Sequence, residues 1–139
     1  MTVHFRKEIE NLKKKVLGLS AEVGEAVHKA VEAVFTRNTE LGLAVDENDA
    51  KIDELEVEIE EDCLKILALH QPVAVDLRFI VAVLRITSDL ERIGDFAAGI
   101  GRKAERLSGY SHIDKIFDFV DMADRAQAML RKATHALIN

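Results

Sequence analysis

The chain has 139 residues, of which 48% are hydrophobic and 32% charged, and its formal net charge is −6. A chain of this length corresponds to one domain. Its proportion of hydrophobic to charged residues is typical of helices with one solvent-exposed face and one buried face. The acidic charge argues against nucleic-acid binding, which requires clustered Lys and Arg. The densest basic run, Lys13 to Lys15, is expected to be a solvated face.

Residues that break helices are scarce, since Pro72 is the only proline and glycines number seven. This composition predicts an all-α fold, an antiparallel up-down helix bundle. Cys63 is the sole cysteine, so no intramolecular disulfide can form; it is expected to pack as a small apolar residue in a reducing compartment. The opening MTVHFRKEIENLKKK does not resemble a signal peptide, and no apolar run approaches the roughly 18 residues that span a bilayer. We expect no membrane insertion.

The first helical pattern is a heptad seam, with spacings that alternate between four and three. Its apolar positions are Phe5, Ile9, Leu12, Val16, Leu19, Val23, Ala26, Ala30 and Ala33. A second apolar row widens the stripe and consists of Leu17, Val27, Val31, Val34 and Phe35. The helix should therefore contact two neighbours, which favours a bundle over a two-stranded coiled coil.

The second helical pattern follows a loosened segment, TELGLAVDEN. In this segment we expect Gly42 to end a helix and Asp46 or Asn48 to cap the next one. Helix two is then predicted on the seam Ile52, Leu55, Ile59, Cys63, Ile66 and Leu69. Pro72 should terminate it, because proline removes a helical hydrogen bond and disfavours helical geometry at the preceding residue.

Two further helical patterns follow Pro72. The seam of helix three is Leu77, Ile80, Leu84, Thr87, Leu90, Gly94, Ala97, Gly101 and Ala104, and its small residues would let another helix approach closely. The seam of helix four is Ile116, Val120, Ala123, Leu130, Ala133 and Leu137. Because helix four is apolar on more than one side, we expect it to pack on its own bundle or to swap into another copy, and we predict a homo-oligomer.

Two pairs of carboxylates have the i,i+4 spacing that brings side chains together on a helix. Asp49 and Asp53 form one pair, and Glu91 and Asp95 form the other, within the stretch DLERIGD. Asp53 lies 19 residues before Pro72 and Glu91 lies 19 residues after it. In an antiparallel hairpin the two pairs would thus lie at the same level.

Converging carboxylates repel one another, and protons, arginines or a bound cation can relieve this repulsion. Arg92 and Arg102 are the arginines available. Two interpretations stay open from spacing alone: solvated acidic faces, or a site for a cation. Hard oxygen ligands suit Mg²⁺, Mn²⁺, Ca²⁺ or oxidised iron better than copper or a structural zinc.

Two other pairs of acids on helix two give weaker support for a cation site. Glu54 with Glu58, and Glu56 with Glu60, share the spacing, but neither pair is expected to have a partner on helix three.

Glu25 and His28 form an E-x-x-H motif without the second copy that a di-iron bundle needs, so His28 is expected on the helix surface. No nucleophile elbow, P-loop or dinucleotide fingerprint is present, and we expect no catalytic residues and no enzyme.

Residues 48–100 combine an acidic start to helix two, a Gln-Pro turn, Asp-Leu-Arg and then DLERIGD, in that order: NDAKIDELEVEIEEDCLKILALHQPVAVDLRFIVAVLRITSDLERIGDFAAGI. This stretch resembles the PhoU family, the accessory regulators of bacterial phosphate uptake. The resemblance implies tandem three-helix bundles, with residues 1–108 as the first bundle and residues 112–139 as a fourth helix that opens the second. The sequence departs from the family in having no second Gln-Pro turn and no second acidic motif.

The E/D-x-x-x-D motifs of that family hold metal clusters, so the resemblance implies four metal ligands: Asp49, Asp53, Glu91 and Asp95. The ion would be divalent or ferric, namely iron, zinc, manganese or magnesium. The resemblance further implies a non-enzymatic, cytoplasmic regulator, peripheral at the inner face of the membrane through its partners. It would repress the phosphate-starvation response by contact with the phosphate sensor histidine kinase and the phosphate ABC transporter ATPase. The alternative is a metal-binding or metal-storage bundle without a phosphate-signalling role.

Overall fold

The computed structural model describes residues 2–111 and 118–139, and within them it contains helices and no strands. The four helices are α1 (Val3–Thr36), α2 (Thr39–His70), α3 (Ala74–Leu107) and α4 (Phe119–Ile138). The first three pack on one another, and α4 packs on α1. The predicted all-α bundle is confirmed. The predicted start of helix four, including Ile116, lies outside the described residues.

The heptad seam predicted on α1 forms the centre of the core. Of its nine positions all but Ile9 are buried, and Ile9 is partly buried against the same core. The seam meets apolar side chains of α2 and α3, chiefly Ile52, Ile59, Cys63, Ile66, Ile80, Val83 and Leu90. Full burial of a Leu or Ile side chain contributes roughly 1.5–3 kcal/mol, so burial of this shared core stabilises the packing of α1 on α2 and α3.

The sole cysteine belongs to this core. Cys63 is fully buried, as its prediction as a small apolar residue requires. Burial raises the pKa of its thiol to about 11, so the side chain is un-ionised at neutral pH and is a poor nucleophile.

The connection between α1 and α2 is only two residues long. Arg37 ends α1 in the left-handed conformation, with φ of 57°. Asn38 then caps α2, because its Oδ1 accepts a hydrogen bond of 3.1 Å from the backbone N–H of Leu41. Since so short a link reverses the chain, α2 runs antiparallel to α1.

The prediction that Gly42 ends a helix, with Asp46 or Asn48 as the next cap, is wrong. Gly42 lies inside α2 and faces Gly101 of α3. A Cβ atom at Gly101 would lie 2.6 Å from the carbonyl oxygen of Gly42, and a Cβ atom at Gly42 would collide with the carbonyl oxygen of Gly101. Gly42 is therefore required by helix packing, where the backbones of α2 and α3 touch.

The Gln-Pro turn ends α2 as predicted. His70 is the last residue of α2, and α3 begins at Ala74. Gln71 adopts the left-handed conformation with φ of 44°, and its N–H donates to the carbonyl of Leu67 at 3.2 Å. The tight turn makes α2 and α3 antiparallel, which is the arrangement that the acidic-pair prediction assumed.

Helix α4 packs antiparallel to α1. Ala123, near its start, lines a cleft with Phe35 near the end of α1, whereas Thr134 hydrogen-bonds Ser20 at 2.8 Å. The predicted seam is partly wrong, because Ala133 is exposed and Thr134 is buried instead. Packing on the same chain's bundle was one of the two predicted arrangements.

The second apolar row of α1 faces α4. Leu17 lines a cleft shared with Leu130, and Val31 lines a cleft shared with Val120. Helix α1 thus contacts all three other helices, one more than the two neighbours that the sequence predicts. Among the described residues, no helix combines the length and apolar character that crossing a bilayer requires.

Candidate metal centre

The two predicted carboxylate pairs lie side by side on the surface formed by α2 and α3. Carboxylate oxygens of Asp49, Asp53 and Asp95 lie within 4.8 Å of one another, and so do those of Asp53, Glu56 and Glu91. We call these five residues the carboxylate cluster. The structure therefore brings together all four of the acids selected from the sequence, while their role as metal ligands stays a prediction.

Glu56 is the member of the cluster that sequence reasoning missed. The prediction that it has no partner on α3 is wrong, because it shares the cluster with Glu91. The signal was present in the sequence: Asp49, Asp53 and Glu56 are spaced i, i+4, i+7 and so share one helix face. Burial raises the pKa of Glu56, and the charge of Glu60 and a hydrogen bond to it raise it further.

Gly94 makes room for the cluster between α2 and α3. A Cβ atom at this position would lie 3.3 Å from Oδ1 of Asp49 and 3.1 Å from Cγ2 of Ile52. Ile52 lies one turn after Asp49 on α2 and is buried in the core. The absence of a side chain at Gly94 therefore allows the Asp49 carboxylate to sit close to α3.

Like charges and burial shift the protonation of the cluster toward the neutral acids. The pKa of Asp49 is raised to about 6, first by burial, then by a hydrogen bond with Asp95 and the charges of Asp53, Asp95 and Asp46. The pKa of Glu91 is raised to about 7, first by a hydrogen bond with Asp95 and then by burial and neighbouring charges. Because these pKa values are raised, a metal-free cluster relieves part of its repulsion by taking up protons as the pH falls toward 6.

No lysine or arginine in the described part of the chain forms an ion pair with the five acids. Arg102, an arginine that the sequence offered for this purpose, pairs instead with Asp46 at 2.6 Å, and Lys51 pairs with Glu22 at 2.9 Å. Oδ1 of Asp49 is shielded from solvent and has no hydrogen-bond partner. A buried acceptor without a donor is costly, and a cation would satisfy it.

The residues present fit a hard cation. Five carboxylates supply only oxygen donors, the ligand type that Mg²⁺, Mn²⁺, Ca²⁺ and ferric iron prefer. Asp53 and Asp95 are exposed, so a bound ion would remain open to solvent or to a ligand from another molecule. A cation here would cancel the repulsion between α2 and α3 and link the two helices.

The E-x-x-H motif of α1 forms no part of this centre. Glu25 pairs with Lys29 at 2.9 Å. His28 lies on the surface, with 60% of its side chain exposed, and its Nε2 is 3.9 Å from Glu32. This arrangement agrees with the surface role predicted for His28.

The chain is a helical bundle that carries a carboxylate cluster across two adjacent helices, α2 and α3. The sequence model of the PhoU domain matches residues 16–104. The chain belongs to the PhoU domain family.

Individual relatives agree with this assignment. A "Phosphate-specific transport system accessory protein PhoU homolog" of Aquifex aeolicus is 46% identical over 102 residues, covering 73% of this chain and 46% of the relative. The "Phosphate-specific transport system accessory protein PhoU" of Serratia marcescens is 40% identical over 108 residues, covering 78% of this chain and 44% of the relative. The chain thus aligns with somewhat less than half of each of these two relatives.

Solved structures show the same fold. The crystal structure of PhoU from Pseudomonas aeruginosa matches with a TM-score of 0.88 and 33% identity, over 95% of this chain and 64% of that one. The phosphate transport system regulatory protein PhoU from Streptococcus pneumoniae matches with a TM-score of 0.82 and 29% identity, over 95% and 62%. The match includes α4, because 95% coverage extends beyond the first three helices.

Proposed function

We propose that the chain is a non-enzymatic regulator of phosphate uptake and of the phosphate-starvation response. It would act by contact with the phosphate sensor histidine kinase and with the ATPase subunit of the phosphate ABC transporter. The observation that carries this proposal is membership of the PhoU domain family, whose matched relatives are named accessory proteins of a phosphate-specific transport system. Contact with an ATPase subunit implies action at the inner face of the membrane.

Electrostatics supports a role through partners rather than direct phosphate binding. The chain has a net charge of −6, and its carboxylate cluster is a patch of negative potential. A free phosphate anion is repelled by such a surface, whereas a basic patch on a partner protein is attracted to it. Protein contact is therefore the route that suits the surface charge.

We further propose that the carboxylate cluster binds a divalent or ferric cation, with Asp49, Asp53, Glu91 and Asp95 as ligands and Glu56 beside them. Three observations support this proposal. The five acids converge, Oδ1 of Asp49 has no hydrogen-bond partner, and no Lys or Arg among residues 2–111 and 118–139 forms an ion pair with them. A bound ion would lower the negative potential of the surface that partners meet. Metal loading would thereby tune partner binding.

A binding measurement tests the regulator proposal. The purified chain, metal-loaded or treated with chelator, is passed over the immobilised kinase and the immobilised transporter ATPase of the same organism. We expect saturable binding to at least one of them, with Kd in the micromolar range, as for transient interfaces. Absence of binding to both, in either metal state, would contradict the proposal.

A matched control distinguishes the effect of the carboxylate cluster on partner binding from the effect of net charge. Asp49→Asn with Glu91→Gln removes two charges from the cluster, and Glu54→Gln with Glu61→Gln removes two exposed charges of the same helix outside it. Only the first pair should abolish the difference between the metal-loaded and chelated states. Equal effects of both pairs would show that net charge, rather than metal, controls the interaction.

The alternative function is a metal-binding or metal-storage bundle. The carboxylate cluster itself favours it, because the same five acids would serve storage without any partner. Storage predicts cation binding together with no affinity for the kinase or the ATPase. The two functions are therefore distinguished by the binding measurement above.

A further inference from the structure

A second group of metal-ligand side chains lies at the far end of α2 from the carboxylate cluster. Nε2 of His70 is 2.7 Å from Oε2 of Glu8, and Nε2 of His4 is 3.2 Å from Oε1 of the same carboxylate. One ligand atom from each of the three residues lies within 4.8 Å of the other two. We call these residues the histidine cluster. His70 lies 14 residues of α2 beyond Glu56, the nearest α2 member of the carboxylate cluster, which is roughly 21 Å at 1.5 Å per residue.

The local fold fixes where these side chains lie. His4 and Glu8 are one turn apart at the start of α1, and His70 is the last residue of α2. The buried ring of Phe5 packs edge-on against the His70 imidazole, with ring centroids 5.0 Å apart at 68°. Only 18% of the His70 side chain is exposed, so its ring is held rather than free to turn.

The ligand atoms of the histidine cluster differ from those of the carboxylate cluster, which offers only oxygen. Two imidazole nitrogens and one carboxylate oxygen suit Zn²⁺ and its neighbours among the transition metals, whereas oxygen-only sites suit Mg²⁺, Ca²⁺ and Mn²⁺. Ligand atoms at 2.0–2.1 Å from a tetrahedral zinc are roughly 3.3 Å apart. His70 and His4 approach different oxygens of Glu8, at 2.7 and 3.2 Å, and one ligand atom of each residue lies within 4.8 Å of the other two. Side-chain rotations would have to bring the three ligand atoms to about 3.3 Å from one another.

We propose that His4, Glu8 and His70 form a second metal site, which takes Zn²⁺ or a similar transition cation through three protein ligands. The remaining coordination position faces the open side of the cluster, since 74% of the His4 side chain is exposed. A cleft next to it, lined by Thr2, Gln71, Pro72 and Asp76, gives water or a donor group from a partner access to the ion.

The site would fasten the first turns of α1 to the Gln-Pro turn. Phe5, His70 and Pro72 line the same cleft. A bound ion would therefore cross-link the start of α1 to the end of α2. A cation that binds only the folded state stabilises that state by mass action. Zinc should therefore raise Tm and slow amide exchange in the first two turns of α1.

Isothermal titration of the whole chain with ZnCl₂ tests the proposal. The titration uses chelator-treated protein carrying Asp49→Asn and Glu91→Gln, so that oxygen-only binding does not obscure it. We expect one high-affinity Zn²⁺ per chain. Removing a ligand by His70→Ala or His4→Ala should weaken binding at least ~100-fold, since loss of even an outer partner costs 10–100-fold.

His28 provides the matched control. It also has a glutamate one turn later, Glu32, but the described structure places no third ligand beside that pair. His28→Ala should leave zinc affinity unchanged. His4 is so exposed that His4→Ala keeps the fold, which circular dichroism verifies, so the proposal stays testable even if His70→Ala unfolds.

A second readout reports the ligands directly. Co²⁺ in place of Zn²⁺ should give visible absorption bands of a low-coordinate nitrogen and oxygen site, and His4→Ala should abolish them. The proposal is overturned if zinc binds no more tightly than ~100 μM, a ceiling far weaker than typical zinc sites. It is also overturned if His4→Ala has no effect or if His28→Ala is equally damaging. These outcomes are independent of partner binding and of the carboxylate cluster.

Discussion

At the residue scale, the carboxyl groups of Asp49 and Glu91 oppose folding when they are charged. Their pKa values rise to about 6 and about 7 in the folded chain, so between pH 4 and 7 the native state binds more protons than the unfolded state. Stability from these groups therefore falls as pH rises through that window. Above pH 7 the repulsion is fully present unless a cation cancels it.

The first prediction follows for metal-free protein. Asp49→Asn should raise Tm at pH 8 by about 3 °C, which corresponds to on the order of 1 kcal/mol once solvent screening of a partly exposed group is allowed for. The gain should shrink toward pH 5, where Asp49 is protonated anyway. Differential scanning calorimetry in EDTA measures both values. A gain of equal size at pH 5 and pH 8 would show that charge repulsion is not its origin.

The site was only partly predictable from the sequence. The count from Pro72 aligned Asp53 with Glu91 correctly because the turn is tight and both helices are unbroken. The count gives only the level along the helices, whereas Glu56 follows from the i, i+4, i+7 spacing that places it on the same face of α2 as Asp49 and Asp53. Burial of Oδ1 of Asp49 depends on the packing of Gly94 against Ile52, and no spacing rule contains that information.

At the element scale, the contact between Gly42 and Gly101 sets how closely α2 and α3 approach. The second prediction is that Gly101→Ala destabilises the chain by about 1–3 kcal/mol, the usual cost of overpacking, because its methyl group would meet a backbone carbonyl at 2.6 Å. Chemical denaturation measures the loss.

Gly18→Ala is the matched control within a helix. A Cβ atom there meets nothing within 4 Å, so the substitution should stabilise by about 0.5–1 kcal/mol through helix propensity alone. If Gly101→Ala were as stabilising as Gly18→Ala, the close approach of α2 and α3 would be absent in solution.

The third prediction concerns how α4 is attached. Thr134 hydrogen-bonds both Ser20 of α1 and the carbonyl of Leu130. Thr134→Val leaves the Ser20 hydroxyl without this partner and should cost about 1 kcal/mol; Ser20→Ala leaves Thr134 bonded to Leu130 and should cost less. In a double-mutant cycle the two losses should not add. Strict additivity would mean that α4 does not pack on α1 through this pair.

Sequence patterns located most elements but misread two signals. Pro72 and the heptad seams predicted α1, the end of α2 and the whole of α3, because these depend on local geometry and periodicity. The sequence predicts that Gly42 ends a helix, whereas Asn38 caps α2 and Gly42 lies inside it. A single sequence does not distinguish a glycine required by helix packing from a glycine that ends a helix. In α4 the buried position is Thr134 rather than Ala133, because the side chain that faces Ser20 is polar.

At the scale of the whole molecule, large apolar side chains remain exposed on α4. Met122 is 59% exposed and Met129 is 71% exposed. Exposed apolar surface of this kind favours association, and the homo-oligomer expected from the sequence stays a prediction. The contact would be isologous if two copies pair through α4.

The fourth prediction is a mass above that of the 15.5 kDa chain. Light scattering at micromolar concentration should report a dimer or larger, and Met129→Glu should return it to the monomer because a charge cannot be buried in that contact. Arg125→Glu, at another exposed position of α4, controls for charge alone. A monomeric mass for the parent chain would contradict the prediction.

Titration with Mn²⁺, followed by electron paramagnetic resonance, shows whether the carboxylate cluster of this PhoU-family bundle is a cation site. Mn²⁺ prefers oxygen ligands, so it reports this cluster rather than the histidine cluster. We expect Mn²⁺ to bind the parent chain saturably, to lose this binding in Asp49→Asn with Glu91→Gln, and to keep it in Glu54→Gln with Glu61→Gln. If the parent and the Asp49→Asn, Glu91→Gln variant bound Mn²⁺ equally, or if the parent bound none, the carboxylate cluster would not be a cation site.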